Sequence, residues 1–231
     1  MDRKNLLFFY VVSLVLVLEV FALYLPWWTI RTSNEAEVVV RGVARVDINL
    51  WQRVMVFVSY NRTRCVAFDI SEFVSNEADL SAFRNLFSVT SILAVAGFIF
   101  VLFIWVLSIF AVLKRPLLPL RLFNLLIVVS FVLILAAPFY MFNSFYPLIT
   151  KLERFTYFDF PSGWVQISPR NVNGFWGALS VPAGSGLPSY LVGFDFWVWG
   201  PGGGWILSFA AALLLVSLFL LSREMAPKKA F

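Results

Sequence analysis

The chain has 231 residues, of which 61% are hydrophobic and 13% charged, and its formal net charge is +5. This apolar share is well above the roughly 45–50% of ordinary soluble domains and excludes a water-soluble globule. The sequence has no histidine and one cysteine, Cys65. His-ligated haem, His-rich zinc sites, Ser-His-Asp catalysis and an intramolecular disulfide are therefore excluded.

Four apolar runs, at residues 6–25, 87–113, 122–146 and 204–221, define the architecture. Each has about the 20 residues that a helix needs to cross a hydrocarbon core. The predicted fold class is a membrane α-helical protein, a four-transmembrane-helix bundle with an extracytoplasmic β-rich cap formed by the two long outer loops. The predicted segments are the N-terminus with the first span (1–27), the first outer loop (28–86), the second span (87–113), a short basic loop (114–121), the third span (122–146), the second outer loop (147–203), the fourth span (204–221) and the C-terminal tail (222–231).

The basic residues predict the orientation of these spans. Segments 1–5, 114–121 and 222–231 hold eight Lys and Arg residues in 23 positions, whereas the much longer loops 28–86 and 147–203 hold ten. By the positive-inside rule, both termini and the short loop are cytoplasmic and the two long loops are extracytoplasmic. We read the net positive charge as this topology signal and expect the lipid bilayer, not nucleic acid, as a partner.

The first run begins after Arg3 and Lys4 and is too long for a usual signal peptide, so we expect an uncleaved span of an integral cell-membrane protein. Glu19 is the one acid inside a predicted span. Such a carboxyl either has a structural role, sharing hydrogen bonds with Ser88, Thr90, Ser91 or Asn143, or belongs to a proton or ion pathway. The pair Trp27-Trp28 is predicted to lie in an interfacial aromatic belt.

The first outer loop has strand-like composition at residues 37–46, 53–60 and 65–70, with 61–64 as a hairpin connection. Asn61 begins the only Asn-x-Ser/Thr sequon, which makes it a glycosylation candidate. Glu77 and Asp79 suit the positive end of a helix dipole. We therefore expect a helix to begin outside the membrane and to run into the second span.

The second outer loop is rich in aromatic residues, with strand-like segments at 155–160 and 190–199 and several Gly/Pro turns. Two isolated hairpins would be marginally stable, so both outer loops are expected to form one cap. Large aromatic side chains are favoured anchors at protein interfaces. The candidates for an interaction surface are Trp51, Trp164, Trp176, Trp197 and Trp199.

In the fourth span, Gly204, Ser208 and Ala212 recur at every fourth position. This small-residue row lets another helix backbone approach closely. The partner helix could belong to the same bundle or to another subunit, and the sequence leaves both readings open.

Several local features resemble the claudin/PMP22 group of tetraspan membrane proteins. They are Trp27-Trp28 after the first span, Asn49-Leu50-Trp51 in the first outer loop, Cys65 downstream, and Gly202-Gly203-Gly204-Trp205 at the entry to the fourth span. As topology, the resemblance covers nearly the whole chain, and it implies an adhesion, barrier or accessory-subunit role. The chain departs from the group in having one cysteine instead of a disulfide-forming pair, and a longer second outer loop.

No phosphate-binding loop, dinucleotide-binding glycine motif or nucleophile elbow occurs in the sequence. We expect no enzymatic activity, no catalytic or metal-binding residues and no cofactor. The expected function is structural or interactive, with the outer cap contacting other membrane protein subunits or further copies of this chain. The alternatives are an accessory subunit of a respiratory or transport complex, and a small transporter or channel that uses Glu19.

Overall fold

The computed structural model describes residues 3–33, 43–60, 62–72, 77–113, 119–149, 155–160, 163–167, 177–180 and 196–224. Within these ranges, four helices are long and apolar enough to cross a membrane, which confirms the four predicted spans. The second helix is continuous from Glu77, as predicted for the segment that precedes the second span. The helices are α1 (Arg3–Tyr24), α2 (Glu77–Val112), α3 (Leu120–Ile149) and α4 (Gly203–Glu224).

Eight strands lie between the helices in the described residues. They are β1 (Trp28–Ser33), β2 (Val43–Ile48), β3 (Arg53–Tyr60), β4 (Arg62–Asp69), β5 (Phe155–Phe160), β6 (Gly163–Ile167), β7 (Gly177–Ser180) and β8 (Phe196–Pro201). Six of them form one sheet in the order β4-β3-β2-β1-β8-β7, and β5 pairs with β6 separately. Every pairing is antiparallel.

The chain divides into two compact units. The bundle unit comprises Met1–Leu25, Val89–Tyr140 and Gly204–Phe231, and the sheet unit comprises Pro26–Ser88 and Met141–Gly203. The six-stranded sheet of the second unit draws strands from both long loops, because β1 from the first loop pairs with β8 from the second.

Most of the buried positions in the bundle unit follow a heptad pattern, and Leu107, Pro138 and Ala212 are buried beside it. Steps of three and four residues separate the positions of this pattern on each helix, the spacing that keeps one seam facing the neighbours in left-handed helix packing. The seam residues are Phe8, Val12, Val15, Glu19 and Ala22 on α1; Thr90, Ala94, Gly97, Val101, Ile104 and Ser108 on α2; Ile127, Ser130, Ile134 and Ala137 on α3; and Gly204, Ser208, Ala211, Leu215, Leu218 and Ser222 on α4.

The opposite faces of these helices are exposed and also apolar. Leu14 and Val17 on α1, Ile92 on α2 and Leu213 on α4 are examples. Such surfaces suit a hydrocarbon environment, in which backbone polar groups are satisfied within each helix and the outer side chains contact lipid.

The sheet unit corrects two sequence-based interpretations. Trp27 and Trp28 are fully buried instead of standing in an interfacial belt. Trp28 packs against Phe145 with a ring-centroid separation of 4.8 Å, since its strand places it inside the unit. The predicted four-residue connection at 61–64 is also too long, because the segment from Arg62 onward already belongs to β4 and Tyr60 is in register with Arg62.

Candidate functional site

The Glu19 carboxyl is the most unusual group in the bundle unit. The heptad spacing of α1 directs it inward, and the side chain is fully buried. Neither carboxyl oxygen has a hydrogen-bond partner among the described residues. Its neighbours along the α1 seam, Val15 and Ala22, are apolar. A buried carboxyl without partners carries a large desolvation cost when it is ionised.

Ser208 of α4 faces this carboxyl. The two groups stop short of hydrogen-bond geometry, so Ser208 Oγ is likewise buried without a partner in the described part of the chain. The structure thus brings together two polar residues that the sequence singled out separately, one as an intramembrane acid and the other as part of a packing row. We call them the Glu19–Ser208 pair.

Ser208 differs from four other serines in the spanning helices. The hydroxyls of those serines donate to carbonyls of their own helix at 2.6–2.8 Å, the usual way for a helical serine to satisfy its donor. They are Ser13, Ser108, Ser130 and Ser222. The orientation of Ser208 therefore reflects its place opposite Glu19 and not a general property of serine in these helices.

The small-residue row of α4 lies inside the bundle unit. Gly204, Ser208 and Ala212 are all buried, and Ala212 belongs to the bundle's apolar core. A comparable close approach occurs between α2 and α3, where a Cβ placed on Gly97 would lie 2.5 Å from Ile134 Cγ1. Small residues therefore set the helix separation within this chain.

In the sheet unit, the turn between β2 and β3 holds the Asn49-Leu50-Trp51 element. Asn49 Oδ1 accepts hydrogen bonds from the backbone N–H groups of Trp51 and Arg53, both at 3.0 Å. Gln52 takes a left-handed conformation with φ of 64°. Leu50 is buried beneath the turn, whereas Trp51 is 50% exposed. The turn is thus tightly hydrogen-bonded and presents one large aromatic side chain outward.

A second segment ties this turn to the end of β4. The Ile70 N–H donates to the Gln52 carbonyl at 3.0 Å. Beside it, the Ser71 hydroxyl and backbone N–H donate to Asp69 Oδ1 at 2.6 and 2.9 Å. These bonds favour the ionised form and lower the pKa of the exposed Asp69 carboxyl.

The remaining predicted residues are less informative. Asn61 and Trp176 lie outside the described residues. Trp164 lies in β6 and Trp197 in β8. Trp199, also in β8, is in register with Ile30 of β1 and Gly177 of β7.

Two contacts were missed at the sequence level. The Trp105 indole donates to the Ser13 hydroxyl at 2.9 Å, and the Trp205 indole donates to the Pro138 carbonyl at 2.9 Å. A tryptophan inside an apolar run is the only signal that could have indicated them, because its N–H needs an acceptor when it is buried.

Comparison with known proteins does not assign the chain to a group: no protein-family model matches it, and no curated protein was found to be similar.

Proposed function

We propose that this protein is a non-catalytic integral membrane protein that makes protein–protein contacts through its sheet unit. The observation that carries the proposal is the turn that presents Trp51. A half-exposed tryptophan on a turn fixed by two side-chain hydrogen bonds is preorganised. Little conformational entropy is lost when such a group is buried against a partner, and tryptophan is among the residues that contribute most at interfaces.

The six-stranded sheet supports this role as a platform. Strands from both long loops share it, and three or more strands with a packed face are stable where a single hairpin is not. The buried aromatic residues Trp28, Phe83, Phe87 and Phe145 pack together within the same unit. A surface on such a platform keeps its shape when a partner binds.

The proposed orientation places the sheet unit on the extracytoplasmic side. The sequence segments richest in Lys and Arg are the short ones at the opposite ends of the helices, and basic segments stay in the cytoplasm during insertion. The partner is then another membrane protein subunit or a second copy of this chain, as the resemblance to the claudin/PMP22 group implies.

An accessory-subunit role in a larger membrane complex is the second candidate. The row Gly204, Ser208 and Ala212 would serve it by binding a helix of another subunit. Because this row is buried within the bundle unit, the exposed turn is the better-supported route to a partner. The two candidates differ in which surface makes the contact.

The test is the native mass and composition of the protein after gentle extraction from its own membrane. We expect an assembly larger than one copy, and we expect Trp51→Ala to lower the share of protein in it at least several-fold. Ile92→Ala, which truncates a 66% exposed side chain of α2, is the control and should leave the assembly intact. A lone protomer, or an assembly indifferent to Trp51→Ala, would contradict the proposal.

A further inference from the structure

The Glu19–Ser208 pair presents an electrostatic problem that the interaction role does not explain. Glu19 is fully buried, and both carboxyl oxygens are unpartnered among the described residues. No other Asp, Glu, Lys or Arg occurs within the four predicted spans. An isolated carboxylate in apolar surroundings is so costly that the group instead becomes neutral or acquires a cation.

The other titratable groups in the predicted spans are tyrosines. Tyr10 and Tyr24 of α1 and Tyr140 of α3 are exposed on the outer faces of their helices. Tyr146 lies at the end of the third run and belongs to the sheet unit, and the predicted spans of α2 and α4 carry no titratable side chain. The predicted spans therefore supply no second charged or acidic group as a partner for Glu19.

The donor set around Glu19 suits a proton better than a metal ion. Among the described residues, the polar groups of the Glu19–Ser208 pair are one carboxyl and one hydroxyl, whereas Ca²⁺ takes about 6–8 oxygen ligands and Mg²⁺ about six. A proton needs one oxygen to bind and one acceptor to receive the resulting O–H. Ser208 Oγ can be that acceptor, because it lies beside Glu19 and has no hydrogen-bond partner in the described residues.

We propose that Glu19 and Ser208 form a reversible proton-binding site inside the helix bundle. A hydronium ion of the solvent transfers a proton to one carboxylate oxygen of Glu19: one O–H bond of the hydronium breaks, which leaves water, and one O–H bond forms on the carboxyl. The neutral acid then donates a hydrogen bond to Ser208 Oγ. This site is a further activity beyond the proposed interaction role and does not depend on it.

The pair lies near one end of each of its two helices. Glu19 lies five residues before the end of α1 at Tyr24, and Ser208 lies five residues after the start of α4 at Gly203. Five helical residues correspond to about 7.5 Å along the axis. The pair therefore lies about one and a half helical turns from these two helix ends.

Infrared spectroscopy of the full-length protein in lipid vesicles tests the site. We expect the native protein at neutral pH to show the C=O stretching band of a protonated carboxylic acid. Labelling of the glutamate side chains with ¹³C should lower the frequency of this band, and transfer to D₂O should shift it because the proton exchanges. Both measurements use the native sequence, so the test does not depend on whether a variant folds.

Three variants then assign the band to the pair. Glu19→Gln should remove it completely, and Ser208→Ala should change its frequency because the acceptor is lost. Ser130→Ala is the matched control, since its hydroxyl donates to the Leu126 carbonyl, and it should leave the band unchanged. Absence of a protonated-acid band in the native protein, its survival in Glu19→Gln, or its indifference to Ser208→Ala would each overturn the proposal.

Discussion

The indole nitrogen of Trp105 on α2 donates a hydrogen bond of 2.9 Å to the Ser13 hydroxyl of α1, and Ser13 in turn donates to the Phe9 carbonyl at 2.8 Å. The Ser13 hydroxyl thus accepts a hydrogen bond from the Trp105 indole and donates one to a backbone carbonyl of its own helix. The bond connects two residues that lie 92 positions apart in the sequence, on different spans. It fixes the rotation of α1 against α2 in a region where apolar packing alone is not selective.

Removal of this bond should weaken the bundle modestly. We expect loss of the hydrogen bond in Trp105→Phe to lower the free energy of unfolding by about 0.6 kcal/mol and by no more than about 1.7 kcal/mol, as for other hydrogen bonds between membrane helices. A double-mutant cycle with Ser13→Ala, followed by unfolding in mixed micelles, isolates the pair from the loss of ring volume. Strictly additive effects of the two substitutions would show that the two side chains do not interact.

Replacement of Gly97 by a larger residue should lower the free energy of unfolding by a moderate amount. A Cβ there would lie 2.5 Å from Ile134 Cγ1 and 3.2 Å from the Ile134 backbone nitrogen. We expect Gly97→Ala to destabilise the bundle by about 1–3 kcal/mol, as overpacking does, when measured by the same unfolding assay. In an Ile134→Ala background, which is itself less stable because a buried side chain is truncated, Gly97→Ala should cost less, because the nearest clashing atom is absent there.

The outward face of α2 supplies the control for this test. Ile99→Val shortens a side chain that is 56% exposed and should leave the unfolding free energy unchanged within about 0.5 kcal/mol. An equal loss for Gly97→Ala and Ile99→Val would contradict the close approach of α2 and α3.

Substitution of Gly202 should be more severe. A Cβ there would lie 2.1 Å from the Pro26 carbonyl oxygen and 3.1 Å from the Trp27 carbonyl carbon, both backbone atoms. The Gly202 N–H also donates to the Trp27 carbonyl at 2.9 Å. No side-chain rotation relieves this clash, so we expect Gly202→Ala to cost on the order of 3 kcal/mol or more.

The readout for Gly202 is the amount of folded protein in the membrane and its far-ultraviolet circular dichroism. Gly203→Ala is the neighbouring control, because it alters the first residue of α4, and a helix prefers alanine to glycine by about 1 kcal/mol. Normal accumulation of Gly202→Ala would show that residues 26–27 and 202 do not lie this close.

Two substitutions in the β2–β3 turn should act in opposite directions. Asn49→Ala removes the acceptor of two backbone N–H groups and should cost about 1–2 kcal/mol. Gln52→Gly relieves a residue held at φ of 64° and should stabilise the sheet unit by up to about 1 kcal/mol. Thermal unfolding followed by circular dichroism measures both, and destabilisation by Gln52→Gly would contradict the left-handed turn.

The sequence was sufficient to locate the spans but not to show which face of each helix is buried. On α1, the buried Val12 and Val15 are no more apolar than the exposed Leu14 and Val17, because lipid and protein core favour the same side chains. Only small and polar residues distinguish the inner face. On α4, the row Gly204, Ser208 and Ala212 indicated the buried face. On α1, Glu19 was almost the only residue that did so.

The sheet was harder to predict because its pairing is long-range. Strand β1 was missed, since the pair Trp27-Trp28 directly after the first span resembled an interfacial anchor. The pairing of β1 with β8 joins positions about 170 residues apart. Likewise, Glu19 and Ser208 were each identifiable, but their encounter depends on the packing of α1 against α4. Local pattern does not encode such contacts.

The side of the membrane occupied by the sheet unit is the claim most open to a direct test. In a Cys65→Ser background, which removes the only cysteine, Ala67→Cys places a thiol at an exposed position of β4 and Arg223→Cys places one at an exposed position near the end of α4. We expect a membrane-impermeant maleimide to label position 67 in intact cells and position 223 only after permeabilisation. The reverse pattern would contradict an extracytoplasmic sheet and with it the proposed contacts through Trp51.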